Sequence, residues 1–299
     1  MKELSNFDMV DRYGSSFMER GEVGGYRKTL PKILKVVRKE KDPSAFRARL
    51  LEISQLYFDG IITPEGDEPP EITGRWSWIF DFLQDQTGSD SIETLDELMK
   101  ECAKYIGSFY RGEGEKTIGE SRKSLLRLKN DLIRYGKVED LPNHSHLNGS
   151  ISDIRNLGIL ASNSEIQAID YVIPVANEGF EPGFLLADIY ESPLIPVRFS
   201  RLKRGDIGPR IPSEAEEENY IGRVRDKKVI VVEGTCCSGK SVEGVVELVS
   251  KYNPSQIYAA CVLGSGLSGI RRYKEVNLNH DAVKRANHHQ EGKLVQIIS

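Results

Sequence analysis

Residues 229–241 read VIVVEGTCCSGKS, and this stretch restricts the possible folds more than any other part of the chain. Its four leading aliphatic residues predict a buried strand, and SVEGVVELVSKY (241–252) has the apolar spacing of a helix. A glycine-containing turn between a buried strand and a helix start presents backbone N–H groups to an anion, at the positive end of the helix. We therefore predict a phosphate-binding turn at Ser238–Ser241.

Strands and helices alternate on both sides of this turn. Strands are predicted at IDYVIPVA (169–176), SPLIPVRF (192–199), VIVV (229–232) and QIYAACVL (256–263), and an amphipathic helix is predicted at GFLLADIY (183–190). Such alternation is typical of a parallel, doubly wound α/β sheet. The polar stretch RLKRGDIGPRIPSEAEEENYIGRVRDKK is too long for an ordinary connection. We interpret its residues 202–226 as a mobile loop that closes over a site.

The first half of the chain has helical periodicity instead, from residue 28 to about 136. The expected boundaries are a start at Thr29 and Pro31, a stop at Asp59-Gly60, a capping box of Asp90 and Glu93 before a long helix, and a last helix over Ser121–Tyr135. We predict an all-α domain over residues 1–145 and the α/β domain over residues 146–299.

Composition restricts the class of protein further. The chain has 299 residues, 29% of them charged, a net charge of −4, and no apolar run that approaches a membrane span. The cysteines are Cys102, Cys236, Cys237 and Cys261, and no metal-like spacing relates them. We interpret the adjacent pair as small residues that fit a tight loop. We expect a reduced, cytoplasmic protein with no membrane partner and no strong nucleic-acid signal.

The phosphate turn has two interpretations. As Gly234-x-x-x-x-Gly239-Lys240-Ser241 it is a Walker-type P-loop, which implies an ATP- or GTP-dependent enzyme. A P-loop usually follows the first strand of its domain, whereas only residues 242–299 follow this turn, and they contain no convincing Walker-B strand. The P-loop interpretation requires a rearranged topology and is therefore the weaker one.

The second interpretation is a resemblance to type I phosphoribosyltransferase domains over roughly residues 150–265. In that family a strand ends in a tight loop, a helix follows, the next strand ends in a basic or hydroxyl-bearing loop, and a long loop precedes the phosphate motif. AIDYVIPVANEGFEPGFLLADIYESPLIPVRFSR (168–201) and VIVVEGTCCSGKS follow this order. The motif is most similar to the hypoxanthine-guanine branch. Gly234 and Cys237 depart from it, since the family has acids at both positions.

The resemblance implies a set of site residues. Glu233 corresponds to the first acid of the motif, which binds the ribose hydroxyls, and it would also serve catalysis and contact the metal. The remaining residues would bind the phosphates: Cys237, Ser238, Gly239, Lys240 and Ser241 in the phosphate turn, Ala176, Asn177, Glu178 and Gly179 in the pyrophosphate loop, and Arg198 and Arg201 as cations that neutralise the developing pyrophosphate charge. We expect Gly234→Asp to restore the second acid and to strengthen Mg²⁺-dependent binding, provided that the backbone there is not in a glycine-only conformation.

The implied reaction is displacement of pyrophosphate from phosphoribosyl pyrophosphate by a small nitrogenous acceptor, with Mg²⁺ bridging the ribose hydroxyls and the pyrophosphate. LGSGLSGIRR (263–272) lacks the lysine with which the purine branch recognises its base, so purine salvage is not supported. Loss of one acid leaves open a non-catalytic module that senses phosphoribosyl pyrophosphate or nucleotides. A P-loop NTPase or kinase is the last alternative, and a homodimer is compatible with the sequence.

Overall fold

The computed structural model describes residues 30–62, 77–135, 151–176, 178–199, 207–212, 217–236, 238–263, 273–276 and 293–297, with side chains except at 77–89, 135 and 273–275. The protein is a mixed α/β structure in which helices from the first half pack on the sheet-forming second half. The predicted division at residue 145 lies outside these residues and stays a prediction. The buried apolar residues on its two sides form one continuous cluster.

The described strands form a six-stranded sheet in the order β2-β1-β3-β4-β6-β5. They are β1 Tyr171–Ala176, β2 Val197–Arg198, β3 Lys228–Thr235, β4 Gln256–Leu263, β5 Tyr273–Glu275 and β6 Lys293–Ile297. The first four are parallel to one another, whereas β6 is antiparallel to β4 and β5. This parallel core confirms the predicted α/β sheet, and burial of its strands explains why they read as apolar runs.

The parallel strands β2, β1 and β3 end at one edge of the sheet. Their register pairs Ala176 with Arg198 and Pro174 with Val232, and β3 continues to Thr235 beside Leu263 of β4. Ligands bind at the carboxyl ends of strands in open α/β sheets, because the loops that leave the strands meet there. This carboxyl edge is therefore the place to look for the predicted site.

The helices precede and connect these strands. They are α1 Leu30–Val37, α2 Pro43–Ile61, α3 Ser77–Tyr110, α4 Gly114–Arg127, α5 Lys129–Tyr135, α6 Ile151–Ser162, α7 Phe180–Tyr190, α8 Glu217–Tyr220 and α9 Lys240–Ser250, with a 3₁₀ turn at Gly222–Val224. None of the helices within the described ranges combines the length and apolar character needed to cross a membrane.

Three predicted helix boundaries are wrong, and Thr29 lies outside the described residues. The stop at Asp59-Gly60 falls inside α2, which ends at Ile61. The capping box at Asp90 falls inside α3, which is continuous from Ser77, so the N–H groups there already bond to carbonyls one turn earlier. The last predicted helix is two helices, α4 and α5, that meet at Leu128.

The helix α7 is buried on every side, which corrects the prediction that it is amphipathic. All 11 of its residues are buried, because α3 covers the side that faces away from the sheet. Two of them are carboxylates that ion-pair with the helical half: Glu181 with Arg47 of α2, and Asp188 with Arg111 after α3. Burial of these acids is tolerated because each has a cationic partner.

The sequence analysis missed four elements: the helices α6 and α8 and the strands β5 and β6. In α6 the buried residues Ile154, Leu157 and Ala161 recur at helical spacing, so the signal was present and overlooked. The strands β5 and β6 have five residues or fewer and lie beside stretches of polar residues. β6 pairs with the free side of β4 and β5 pairs with β6, so both strands depend on tertiary structure rather than on a local pattern.

Candidate anion-binding site

The predicted phosphate turn lies at the carboxyl end of β3, as expected. β3 ends at Thr235 and α9 begins at Lys240. Gly239 caps the helix with a φ of 75° and a ψ of −7°, a left-handed conformation that glycine adopts without strain. Ser238 and Lys240 are exposed and Ser241 is half-buried, whereas Cys237 lies outside the described residues. The turn therefore offers the first N–H groups of α9 to solvent or to an anion.

The loop after β1 is short and tightly packed. β1 ends at Ala176 and α7 begins at Phe180, and the N–H of Gly179 donates to the Val175 carbonyl oxygen at 3.0 Å. A β-carbon at Gly179 would lie 2.6 Å from that same oxygen and would also strike the carbonyl oxygen of Val232 in β3. Only glycine fits such a close approach between the loop and two strands. Asn177 lies outside the described residues.

The predicted pyrophosphate loop is in direct contact with the end of β3, just before the phosphate turn. A β-carbon at Gly234 would lie 2.6 Å from the carbonyl oxygen of Glu178 and 2.8 Å from the Glu178 β-carbon. The φ of Gly234 is outside the left-handed region, so the restriction there is space rather than backbone conformation. The expectation that Gly234→Asp would restore a second acid is therefore wrong. The backbone of the neighbouring loop occupies the room that such a side chain needs.

Glu233 and Thr235 flank Gly234 on β3. Glu233 is half-buried and lies opposite Cys261 of β4. The hydroxyl oxygen of Thr235 is buried and has no hydrogen-bond partner in the part of the chain that the structure describes. Since buried polar groups nearly always have a partner, this hydroxyl is a candidate ligand contact. The sequence analysis missed it, although a threonine between the acid and the turn was visible.

Arg198 is brought to the same edge and pairs with the helical half. It ends β2 beside Ala176, and its Nη1 lies 3.6 Å from Oδ1 of Asp59 in α2. Its N–H donates to the Arg210 carbonyl oxygen at 2.9 Å, and the Arg210 N–H donates in return at 2.7 Å. The role of Arg198 towards pyrophosphate stays a prediction, and Arg201 lies outside the described residues. Asp59 was taken only for a helix stop and is the residue that sequence reasoning missed here.

The cysteine next to the turn is a buried packing residue. Cys236 is 1% exposed, and the hydrogen bond with Cys261, followed by burial, raises the pKa of its thiol. The same hydrogen bond lowers the pKa of Cys261, whose thiol accepts it. Cys102 is also buried, and burial raises its pKa to about 12. The cysteines that the structure describes are free thiols.

The long connection before β3 is not polar throughout, which corrects part of the loop prediction. Tyr220, Ile221 and Val224 are fully buried, and the Tyr220 hydroxyl donates to the Pro196 carbonyl oxygen at 2.9 Å. These apolar residues anchor the last part of the connection between β2 and β3 in the core. The Tyr220 hydrogen bond attaches it to the chain just before β2. The closing of residues earlier in this connection stays a prediction.

Similarity to known proteins is found in structure, and not among protein-family models or curated sequences. No protein-family model matches the sequence, and no curated protein sequence matches it either. In structure, part of the chain is similar to a purine phosphoribosyltransferase from Pyrococcus horikoshii, with 26% sequence identity and a TM-score of 0.31. The aligned part covers 38% of this chain and 72% of that protein. The α/β fold is defined by the strand order and register given above, independently of this similarity.

Proposed function

We propose that this chain binds phosphoribosyl pyrophosphate at the carboxyl edge of its sheet and transfers ribose 5-phosphate to a small nitrogenous acceptor. The observation that carries the proposal is the contact between Gly234 and Glu178. In this contact the loop after β1, which was assigned to the pyrophosphate from sequence, lies against the end of β3, from which the chain continues into the phosphate turn. Two anion-binding loops at the carboxyl ends of neighbouring strands, with the acidic residue Glu233 on one of these strands, suit a sugar that carries phosphates at both ends.

The chemistry assigns a role to each part of the edge. The bond from the anomeric carbon to the pyrophosphate oxygen breaks, a bond to the acceptor nitrogen forms, and that nitrogen loses a proton. Glu233 would accept hydrogen bonds from the ribose hydroxyls. The turn that ends at Gly239 would bind the phosphate on the sugar, and the loop at Gly179 would bind the pyrophosphate. Arg198 would neutralise the charge that develops on the leaving group.

Mg²⁺ fits this site as a partner of the substrate. Among the described residues there is no group of three or more histidine, cysteine or acidic side chains that could hold a metal. Mg²⁺ usually binds one or two carboxylates and completes its shell with water and substrate phosphates. Glu233 supplies such a carboxylate. When bound, the ion would supply positive charge to the leaving pyrophosphate.

A second candidate function is a sensing module without catalysis. The specific observation that favours it is the filled space at Gly234, because a second carboxylate cannot be accommodated beside Glu233. One carboxylate would bind the ribose hydroxyls more weakly than two. Binding of phosphoribosyl pyrophosphate would persist, while turnover would be lost.

One experiment separates these functions. The protein is mixed with phosphoribosyl pyrophosphate, Mg²⁺ and a panel of nitrogenous bases, and pyrophosphate release is measured beside calorimetric binding. Release with at least one base supports the transferase. Tight binding without release from any base supports the sensing module. Tighter binding of ATP, with phosphate release, would overturn both and return the P-loop interpretation.

A further inference from the structure

One face of α2 carries three buried polar side chains. Gln55 precedes Asp59 by four residues and follows Arg47 by eight, so neighbours in this series lie on the same side of the helix. All three are buried. Buried polar groups require partners, and these residues find partners in the elements that surround the anion-binding loops.

The first of these contacts fixes the start of α7. Arg47 ion-pairs with Glu181, which also accepts a hydrogen bond from the Tyr110 hydroxyl at 2.7 Å. Glu181 follows Gly179 by two residues, so the contact lies directly after the pyrophosphate loop. Phe58 of α2 packs edge-on against Phe180 with 5.9 Å between the ring centroids. The helix α2 therefore holds the element that the loop leads into.

The second contact reaches Arg198. Asp59 is held in place because its Oδ2 accepts a hydrogen bond from Nε2 of Gln55 at 2.7 Å. Its Oδ1 lies 3.6 Å from Nη1 of Arg198, which is the range of an ion pair rather than a hydrogen bond. A guanidinium has five N–H donors, so one carboxylate beside it leaves it able to bind a second anion.

We infer that Asp59 is a positioning residue, which orients the Arg198 guanidinium towards the pyrophosphate loop. The inference rests on the proposed function, because it concerns the same site. Arg198 is the register neighbour of Ala176, where that loop begins. A long side chain loses rotational freedom when it binds a ligand, and a carboxylate that already restricts it lowers this cost.

The sign of the effect distinguishes positioning from simple electrostatics. Asp59 carries a negative charge near the ligand, so removing that charge by Asp59→Asn should strengthen anion binding if charge alone matters. If Asp59 orients Arg198, the same variant should weaken binding. Asp188→Asn is a matched control. Asp188 also forms an ion pair between the helical half and the sheet-forming half, in this case with Arg111, and the side chains of Asp188 and Asp59 are both 3% exposed.

The test is calorimetric titration with inorganic pyrophosphate and Mg²⁺, run beside urea unfolding on every variant. We expect Asp59→Asn to weaken pyrophosphate binding by about three- to tenfold and Asp59→Glu to restore part of it. Asp188→Asn should lose stability but bind as the wild type does. In a double-mutant cycle, Asp59→Asn should add nothing to Arg198→Gln, since Asp59 acts through Arg198.

Several outcomes would overturn the inference. The first is unchanged or tighter pyrophosphate binding by Asp59→Asn. The second is an equal loss of pyrophosphate affinity in Asp188→Asn. The third is additive losses of affinity when Asp59→Asn and Arg198→Gln are combined. If the wild type binds neither pyrophosphate nor phosphoribosyl pyrophosphate, the proposed function fails separately. In that event the positioning role can still be tested by the NMR order parameter of the Arg198 Nε–Hε bond. It should be lower in Asp59→Asn than in the wild type, and an unchanged value would refute the positioning role.

Discussion

The backbone carbonyl of Glu178 lies so close to the α-carbon of Gly234 that a β-carbon there would come within 2.6 Å of its oxygen. This contact locks the loop after β1 onto the end of β3. In the type I phosphoribosyltransferase motif that the sequence resembles, this position holds an acid. Here the space is filled by the main chain of the neighbouring loop, so glycine is a geometric requirement of the site.

Side chains at position 234 should therefore disrupt the site. Gly234→Ala should lower the free energy of unfolding by about 1–3 kcal/mol, because the added methyl group displaces the Glu178 backbone. Gly234→Asp should also weaken phosphoribosyl pyrophosphate binding. Gly119→Ala is the control: a β-carbon added there, in α4, would have no neighbouring atom within 4 Å, so this variant should stabilise the protein. Tighter Mg²⁺-dependent binding by Gly234→Asp would contradict the packing described here.

The left-handed glycine before α9 can be tested against a second glycine of the same conformation. Gly239 has a φ of 75° and Gly112, between α3 and α4, has a φ of 78°. Valine at either position should lower the free energy of unfolding by at least about 1–2 kcal/mol, because L side chains are strained there. Only Gly239→Val should also abolish the binding of inorganic phosphate in calorimetry, because the turn at Gly239 would bind the phosphate on the sugar. Equal affinities of the two variants would move the anion site elsewhere.

Glu233 should contribute to the binding of phosphoribosyl pyrophosphate but not to that of inorganic pyrophosphate. Glu233→Gln should weaken phosphoribosyl pyrophosphate binding on the order of ten- to a hundredfold, because hydrogen bonds to a charged acceptor are lost. Inorganic pyrophosphate has no ribose, and in the absence of Mg²⁺ its affinity should be unchanged in calorimetry. An equal loss for both ligands would show that Glu233 does not contact ribose.

Stability at high pH should depend on Tyr190. Burial raises its pKa to about 12, and its hydroxyl donates to the Ala161 carbonyl oxygen at 3.2 Å. Since the folded pKa lies above the unfolded value of about 10, the stability linked to the neutral phenol is complete below pH 10 and is lost between pH 10 and 12. At pH 11 the loss is roughly 1.4 kcal/mol.

Urea unfolding of the wild type and Tyr190→Phe at pH 8.5 and pH 11 measures this effect. The phenylalanine variant cannot ionise, so the difference in unfolding free energy between the two proteins should shrink by about that amount at pH 11. A difference that is the same at both pH values would mean that Tyr190 titrates with an ordinary pKa in the folded protein.

The sequence predicted the parts of the fold that depend on local pattern. Strands β1, β3 and β4 are buried on both faces and therefore appear as apolar runs, and the turn at Gly239 has a recognisable strand-turn-helix order. The contacts that complete the site involve residues far apart in the chain. Asp59 and Arg198 meet only because the last turns of α2 lie beside the end of β2. No local signal marks Asp59 as more than a helix-end residue.

Packing at Gly234 was unpredictable for the same reason. In the sequence alone, a glycine where the family has an acid suggests that a ribose-binding carboxylate has been lost. Only the position of the Glu178 carbonyl shows that packing requires a glycine at this position. The burial of α7 also depends on a second layer, since its apolar and acidic residues would suit a surface helix if α3 were not there.

Complete burial of α7 has a consequence for the exchange of backbone amide protons with water. The helix cannot separate from α3 or from β1 without exposing Glu181 and Asp188, whose cationic partners belong to the other layer. Amides in α3, α7 and β1 should therefore exchange through the same opening event rather than region by region. A ligand held by the loop at Gly179 would therefore slow exchange in α3 as well as in α7.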